Sequence, residues 1–276
     1  MTSSLKDLFS LDGRVAIVTG ASGTIGQAFT HGVAAAGARV ALLARRSEPL
    51  EAVAEELTAT GAEAAVWAVD VREPEALAAV CEQILARFGR IDAILHAVGG
   101  NLPHATVADD ADPLSIGLEA YRDVLDLNLL STVAVAEAFG PALADGQADD
   151  RSIVTVSSMA AGRALTRVGG YGAAKAAVEG LTRWLAVELA RRGTGIRVNA
   201  IAPGFFIGDQ NRRLLLEPDG LLTPRGRAII EQTPAGRFGD VADLVSTALW
   251  LCGPGARFVT GVVVPVDGGF SAYGGI

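Results

Sequence analysis

The 276-residue chain carries 23 Lys and Arg against 31 Asp and Glu, a formal net charge of −8, with no cationic run able to follow a phosphate backbone, which argues against a nucleic-acid partner. Half of the residues are apolar (50%) and the mean hydropathy is +0.36, which suits a sheet covered by helices on both faces better than a sandwich with one wet face. The opening MTSSLKDLFS has no charged stretch leading into an apolar one, and no segment reaches the roughly 18 uninterrupted apolar residues of a membrane span, so a cytoplasmic protein without membrane contact is expected.

Apolar runs alternate with helical patterns from end to end. RVAIVT (14–19) precedes a helix from about 24, VALLA (40–44) a helix from about 48, and AAVWAV (64–69) a helix from Pro74. Pro74 suits the first helical turn, where its missing N–H would have no partner anyway. IDAILHA (91–97) leads to a long helix ending near Gly140, SIVTVS (152–157) to a helix reaching about Arg192, and IRVNAIA (196–202) is followed by a helix from about 240 and by VVVPV (262–266). Seven strand-like runs with six helical stretches between them imply right-handed βαβ crossovers and hence an α/β, doubly wound, Rossmann-like parallel sheet in three layers. Residues 1–276 are read as one domain. The 205–238 stretch breaks the rhythm with Pro218, Pro224 and Pro234; lying after the sixth strand, at the edge where open α/β sheets bind ligands, it reads as a substrate lid. The acidic 145–151 stretch reads as a surface turn. Cys81 and Cys252 read as small buried hydrophobes, and His31, His96 and His104 lack metal-ligand spacing, so no metal site is expected; His96 reads as a strand-end packing residue.

The glycine-rich segment Gly20, Ala21, Ser22, Gly23, Thr24, Ile25, Gly26 directly follows the first strand and opens the first helix. In that context glycines allow a tight turn and close approach to a pyrophosphate, which the helix's first N–H groups and partial positive charge would hold. An ordinary turn of small residues would look the same in isolation. Asp70-Val71 ends the third strand, where the carboxylate can accept from an adenine amino group or cap the next helix. About 20 residues past the glycines, an acid would pair with a ribose 2′-OH and a cation with a 2′-phosphate. The chain has Arg45 and Arg46 there, so NADP(H) is favoured over NAD(H), although two arginines at a helix start could also be merely solvated.

Tyr171 and Lys175 stand four residues apart in a helical pattern, hence on one face one turn apart. Two charges about 4 Å apart at an effective dielectric of about 20 interact by roughly 4 kcal/mol, so Lys175 would lower the phenol from about 10 to about 7, where it exchanges protons at neutral pH.

In order and on these strands, TGASGTIG (19–26), DV (70–71), LNL (127–129), VSS (156–158), YGAAK (171–175), NAIAPG (199–204) and VDGG (266–269) resemble the short-chain dehydrogenase/reductase superfamily, from about Leu11 to Phe270. The resemblance implies hydride transfer between a small-molecule substrate and a nicotinamide cofactor. It implies that Tyr171 exchanges the substrate proton, that Ser158 hydrogen-bonds the reacting oxygen, that Lys175 also binds the nicotinamide ribose, and that Asn128 holds a water in the proton relay. It implies further that Ala97 and Gly99 line the cofactor, and that Pro203, Gly204 and the backbone near Ile207 face the nicotinamide carboxamide. It implies a homo-oligomer, a tetramer or dimer, paired through the long helices and the terminal VDGG segment. Two departures stand out: Thr24 occupies the place of the customary middle glycine, and His96-Ala97-Val98-Gly99 replaces the usual NNAG segment.

Gly99-Gly100-Asn101, NAIAPGFF (199–206), Gln210-Asn211-Arg212, TPAGRF (233–238) and the tail VDGGFSAY (266–273) are similar to the D-mannonate oxidoreductase (fructuronate reductase) branch, which interconverts a sugar-acid alcohol and its keto form. Leu102 and Ala44-Arg45 depart from that branch. A sugar acid offers a carboxylate, suited to the planar guanidinium of Arg212, and hydroxyls, suited to Asn101; either residue could instead be a solvated lid cation or a turn former. Two other functions stay open. A 3-oxoacyl-thioester reductase on this scaffold wants an apolar channel and a basic docking face, whereas the lid carries Asn211, Arg212 and Arg213. A non-enzymatic NADP-sensing regulator has no need of Asn128, Ser158, Tyr171 and Lys175 together.

Overall fold

The apolar runs become seven strands: β1 (Val15–Thr19), β2 (Arg39–Ala44), β3 (Ala64–Ala68), β4 (Ala93–His96), β5 (Arg151–Val156), β6 (Ile196–Pro203) and β7 (Val263–Val266). They form one parallel sheet in the order β3-β2-β1-β4-β5-β6-β7. The coordinates are a computed structural model, and they describe residues 4–108, 110–146, 150–208 and 211–275. The helices among these residues are α1 (Leu5–Phe9), α2 (Thr24–Ala35), α3 (Ser47–Ala59), α4 (Pro74–Phe88), α5 (Leu118–Leu125), α6 (Ser131–Ala144), α7 (Gly169–Arg191), α8 (Arg212–Leu215), α9 (Pro224–Glu231) and α10 (Ala242–Cys252).

Alternate strand residues face opposite sides, and each side has its own core. Ala16, Val18, Leu42 and Leu95 meet Phe29 and Val33 of α2 and Leu244 and Leu251 of α10. Val15, Ile17, Ile94 and Ile153 meet Leu77 and Ile84 of α4 and Val135 and Phe139 of α6. Each fully buried Val, Leu, Ile or Phe among them contributes about 1.5–3 kcal/mol, so the helices are held on both faces as the hydropathy implied. Cys81 and Cys252 are buried, unpaired thiols within these cores.

The amino edge of the sheet is fastened by arginines. Buried Arg197 donates to Asp150 Oδ1 and to the Leu251 carbonyl, both at 2.8 Å, and to Gly253 O at 3.3 Å; Arg14 pairs with the same carboxylate at 3.5 Å. Arg151 donates to the carbonyls of Leu143, Ala144 and Gly146 that end α6. That guanidinium sustains α6 to Ala144, past the end expected near Gly140, even though Pro141 lies inside it.

At the opposite edge, β1 pairs with β2 on one side and β4 on the other. The strand order reverses there, opening a crevice at the carboxyl ends. α5 and α6 join through a π-helical turn, Asp126–Leu130, a feature frequent at functional sites. The run Leu118–Ala144 is long and apolar enough to cross a membrane by length and composition, although Arg122, Asp123, Asp126 and Glu137 interrupt it; it packs on α4, α7 and β4. The lid stretch is built from α8, α9 and two bridges, Phe206–Gly239 and Leu216–Leu222. Gln210 of its expected motif and part of the 145–151 turn lie outside the described residues.

Candidate active site

β1 ends at Thr19, and the chain turns through Gly20 to Gly23 into α2. A Cβ at Gly26 would lie 2.0 Å from Gly20 O, so only glycine lets the helix start this close to the turn. No side chain caps α2, and its first N–H groups, from Thr24 to Gly26, remain available to an anion with the positive end of the helix behind them. Thr24 is accommodated in place of a glycine because it begins the helix with ordinary backbone angles; a Cβ at Gly208 would lie 2.9 Å from Thr24 Oγ1, so the stretch after β6 reaches the glycine-rich turn.

Two elements carry the expected chemistry. Ser158 follows β5 and caps the next turn, its Oγ accepting from Ala160 N at 3.2 Å, while Tyr171 and Lys175 lie on the first two turns of α7. Tyr171 is half-buried beside Ser158, whose hydroxyl acts to lower the phenol. Lys175 is buried, donates to Val156 O at 2.7 Å and holds its ammonium 5.7 Å from the Tyr171 ring centre. The expected lowering of the phenol by Lys175 is not what this geometry gives: burial pushes Tyr171 above its ordinary value, offset in part by Ser158, and burial pushes Lys175 down to about 8. The ammonium is directed to a carbonyl, and desolvation of both groups outweighs the spacing argument.

Asn128 is fully buried in the π-helical turn. Its Oδ1 accepts from Gly100 N at 3.0 Å and its Nδ2 donates to Gly100 O at 2.9 Å and Val124 O at 2.8 Å. The side chain is thus a clamp on the segment after β4, which answers how that segment is steadied without the usual asparagines. A Cβ at Gly99 would lie 2.6 Å from Asn128 Oδ1 and 2.7 Å from Lys175 Nζ, so glycine is required there too. His96 completes the support. Ser131 Oγ donates to Leu127 O at 2.6 Å, so it accepts from His96 Nε2 at 3.3 Å, which leaves Nδ1 to accept from Thr19 Oγ1 at 2.8 Å. Burial pushes this imidazole down to about 3, and it stays neutral.

At the end of β3, Val69 N bonds Ala44 O at 2.8 Å, which sets Asp70 and Val71 beside Arg45. Arg45 and Arg46 are exposed, Arg46 at the start of α3. The Asp70 carboxylate is held well below its ordinary range, first by hydrogen bonds from Arg72. Ala97 and Gly99 follow β4, Pro203 ends β6, and Gly204 and Ile207 follow it, at the same edge. Asn101 donates to Thr106 Oγ1 at 2.6 Å and to Leu102 O at 3.2 Å; Thr106 Oγ1 itself donates to Leu102 O, which fixes the amide orientation and leaves the buried Oδ1 without a partner among the described residues. Arg212 is exposed at the start of α8. Asn211, expected as part of a polar lid surface, instead pins the lid backbone, accepting from Gly208 N at 2.9 Å and donating to Phe206 O at 2.8 Å.

Residues 20–271 match the family described as enoyl-(acyl carrier protein) reductase. An uncharacterized oxidoreductase of Bacillus subtilis is 39% identical over 276 residues, 97% of this chain and 98% of that one. The chain belongs to the short-chain dehydrogenase/reductase superfamily. It is an NAD(P)-dependent oxidoreductase acting on CH–OH groups. Within the superfamily it is similar to the 2-dehydro-3-deoxy-D-gluconate 5-dehydrogenase of Escherichia coli, 31% identical over 264 residues, 96% of this chain and 98% of the relative. A solved structure from Haemophilus influenza, described as a candidate D-mannonate oxidoreductase with bound NAD, is 34% identical with a TM-score of 0.90, covering 99% of this chain and all (100%) of that one.

Several site-forming residues of this dehydrogenase/reductase carry no signal in the sequence. Buried Ser157 donates to Glu179 Oε1 at 3.0 Å, tying the segment after β5 that bears Ser158 to the helix that bears Tyr171 and Lys175. Arg167, with φ of 74° the only non-glycine at positive φ among the described residues, exchanges bonds with Val107 and joins the loop before Tyr171 to the loop after Asn101. A non-glycine residue there carries about 1–3 kcal/mol of strain, and only the tertiary contact explains it.

Proposed function

We propose that this enzyme interconverts a secondary hydroxyl and a ketone on a sugar acid, with Tyr171 giving or taking the proton at the reacting oxygen. The observation that carries the reading is the meeting of Ser158, Tyr171 and Lys175 from two separate elements at the carboxyl edge. A nicotinamide cofactor bound there supplies the hydride chemistry. Ser158 hydrogen-bonds the substrate oxygen and orients it toward the phenol. Lys175, poised near about 8, places a cation next to the phenol and the cofactor ribose, and Asn128 keeps Gly99 and Gly100 out of their way. Gly20, Ser22, Gly23, Thr24, Ile25 and Gly26 fit a pyrophosphate because the start of α2 has free N–H groups and no side-chain cap. Asp70 and Val71 take the adenine, Ala97 and Gly99 line the cofactor, and Pro203, Gly204 and Ile207 face the nicotinamide carboxamide.

Arg45 and Arg46 support NADP(H) over NAD(H), since both are exposed where β2 and β3 end and neither is in an ion pair among the described residues. For the substrate, the free acceptor Asn101 Oδ1 suits a hydroxyl proton and the exposed Arg212 suits a carboxylate. A second copy of the chain would cover Leu130 at the end of the π-helical turn, Trp184 and Val187 on α7 and the fully exposed Phe258 before β7, which supports a homo-oligomer. The unpaired, buried thiols fit the reducing cytoplasm.

The test is a panel of sugar acids, polyols and oxoacyl thioesters with NADPH and NADH, followed by reduced-nicotinamide absorbance. Turnover of a keto-sugar acid is expected; turnover of thioesters alone would overturn the substrate reading in favour of the acyl reductase that the matched family's description suggests. Arg212→Ala is expected to raise KM for the keto-sugar acid by roughly 10-fold or more relative to an uncharged analogue, since charge-assisted bonds contribute about 1.5–3 kcal/mol.

A further inference from the structure

An ionised carboxylate has about four lone-pair places, and at Asp70 one neighbour occupies three of them. Arg72 donates its backbone N–H and its Nε–H to Oδ1, both at 3.1 Å, and its Nη2–H to Oδ2 at 2.6 Å. One place remains, on Oδ2, and the Asp70 side chain is 23% exposed, so a ligand at the end of β3 can reach it. The same guanidinium extends Nη1 to within 3.6 Å of Asp126 Oδ2. Asp126 opens the π-helical turn whose Asn128 clamps Gly100. Arg72 therefore braces two walls of the site together, a bidentate contact within a network, unlike an isolated surface pair of little worth.

We propose that Arg72 is a positioning residue for the cofactor's purine: it fixes the Asp70 carboxylate so that the single remaining Oδ2 place accepts one exocyclic amino proton. The inference rests on the reading that Asp70 meets the adenine, and it adds a discriminator that neither Asp70 alone nor the arginines after β2 provide. A purine with an oxygen at that position would set acceptor against acceptor. Lysine could not replace Arg72, because a point charge cannot hold both carboxylate oxygens in one orientation.

The experiment needs no substrate. Binding of NADPH and NADH, and of their deamino counterparts in which hypoxanthine replaces adenine, is followed by reduced-nicotinamide fluorescence. The wild type is expected to bind the adenine forms about tenfold more tightly, equivalent to about 1.4 kcal/mol. In Arg72→Ala the ratio is expected to shrink to about threefold or less through loss of adenine affinity, with the hypoxanthine forms unchanged and the urea midpoint near that of the wild type. Arg72→Lys is expected to resemble Arg72→Ala. An unchanged ratio in Arg72→Ala, or equal binding of both purines by the wild type, would overturn the proposal. Failure of the wild type to bind any of the four nucleotides would overturn the cofactor reading itself, and this inference with it.

Discussion

At the amino edge of the sheet, Arg14, Arg151 and Arg197 end on Asp150 and on carbonyls of their own chain. At the carboxyl edge, Ser158, Tyr171 and Lys175 come from different elements, touch one another lightly and keep bonding capacity in reserve: Lys175 has three donors and directs one to Val156 O. Buried side-chain atoms without a hydrogen-bond partner occur at both edges, Arg151 Nε and Ser152 Oγ at the amino edge and Asn101 Oδ1 in the loop after β4. What differs is the cations: those of the amino edge are directed to partners within the fold, whereas Lys175 has donors to spare. Substitutions at the two edges should accordingly separate stability from turnover.

The largest separation is expected for Tyr171→Phe. Removing the phenolic proton donor should lower kcat by a hundred- to ten-thousandfold, the usual worth of general acid–base catalysis, while cofactor affinity and the thermal midpoint stay near those of the wild type. A kcat within a factor of two would break the assignment of this edge to chemistry. The converse is Arg197→Ala, which strands buried Asp150 with only the more distant Arg14. Loss of one partner of a buried pair costs about 3–5 kcal/mol, so the thermal midpoint should fall by on the order of 10 °C with kcat of the folded enzyme retained. A large kcat loss at full stability would show that the amino edge is coupled to the chemistry after all.

The third test concerns a group at the functional edge that behaves like the structural one. His96 is held neutral down to about 3, against an ordinary value of 6.5. The unfolded chain binds a proton that the folded chain refuses, so stability is complete above about 6.5 and falls as the pH drops toward 3. Between pH 7 and 4.5 this single group should remove about 3 kcal/mol. His96→Asn should shrink the fall in urea midpoint over that interval; an unchanged fall would mean that other groups govern the acid limb.

How much of this was legible follows from where each cause lies along the chain. The strands, the phosphate turn and the Tyr171–Lys175 spacing depend on neighbours within one helical turn or one strand, and the sequence pattern carries them. The end of α6 depends on Arg151 reaching back from the next strand, and a Gly140-Pro141 pair reads as a stop without it. Asn128 and Glu179 act on partners distant in sequence, as Arg72 does in reaching Asp126, and the protonation of Tyr171 is governed by burial that spacing does not reveal. Asn211 fits a polar lid surface by residue type, and only the loop's own geometry turns it inward.

The central position of β1 has a consequence for how the enzyme is assembled. Because β1 is bordered by β2 and β4, the crevice at its end exists only once β4 has docked, and the first three strands leaving the ribosome leave one flank of β1 open. Asn128, Ser158, Tyr171 and Lys175 arrive with the next stretch, from α5 to α7, and the 205–238 stretch and the tail that packs on it come last. On the proposed assignments, vectorial synthesis presents the parts in the order nucleotide, chemistry, substrate, and the open flank of β1 is an unpaired strand edge while the chain is incomplete.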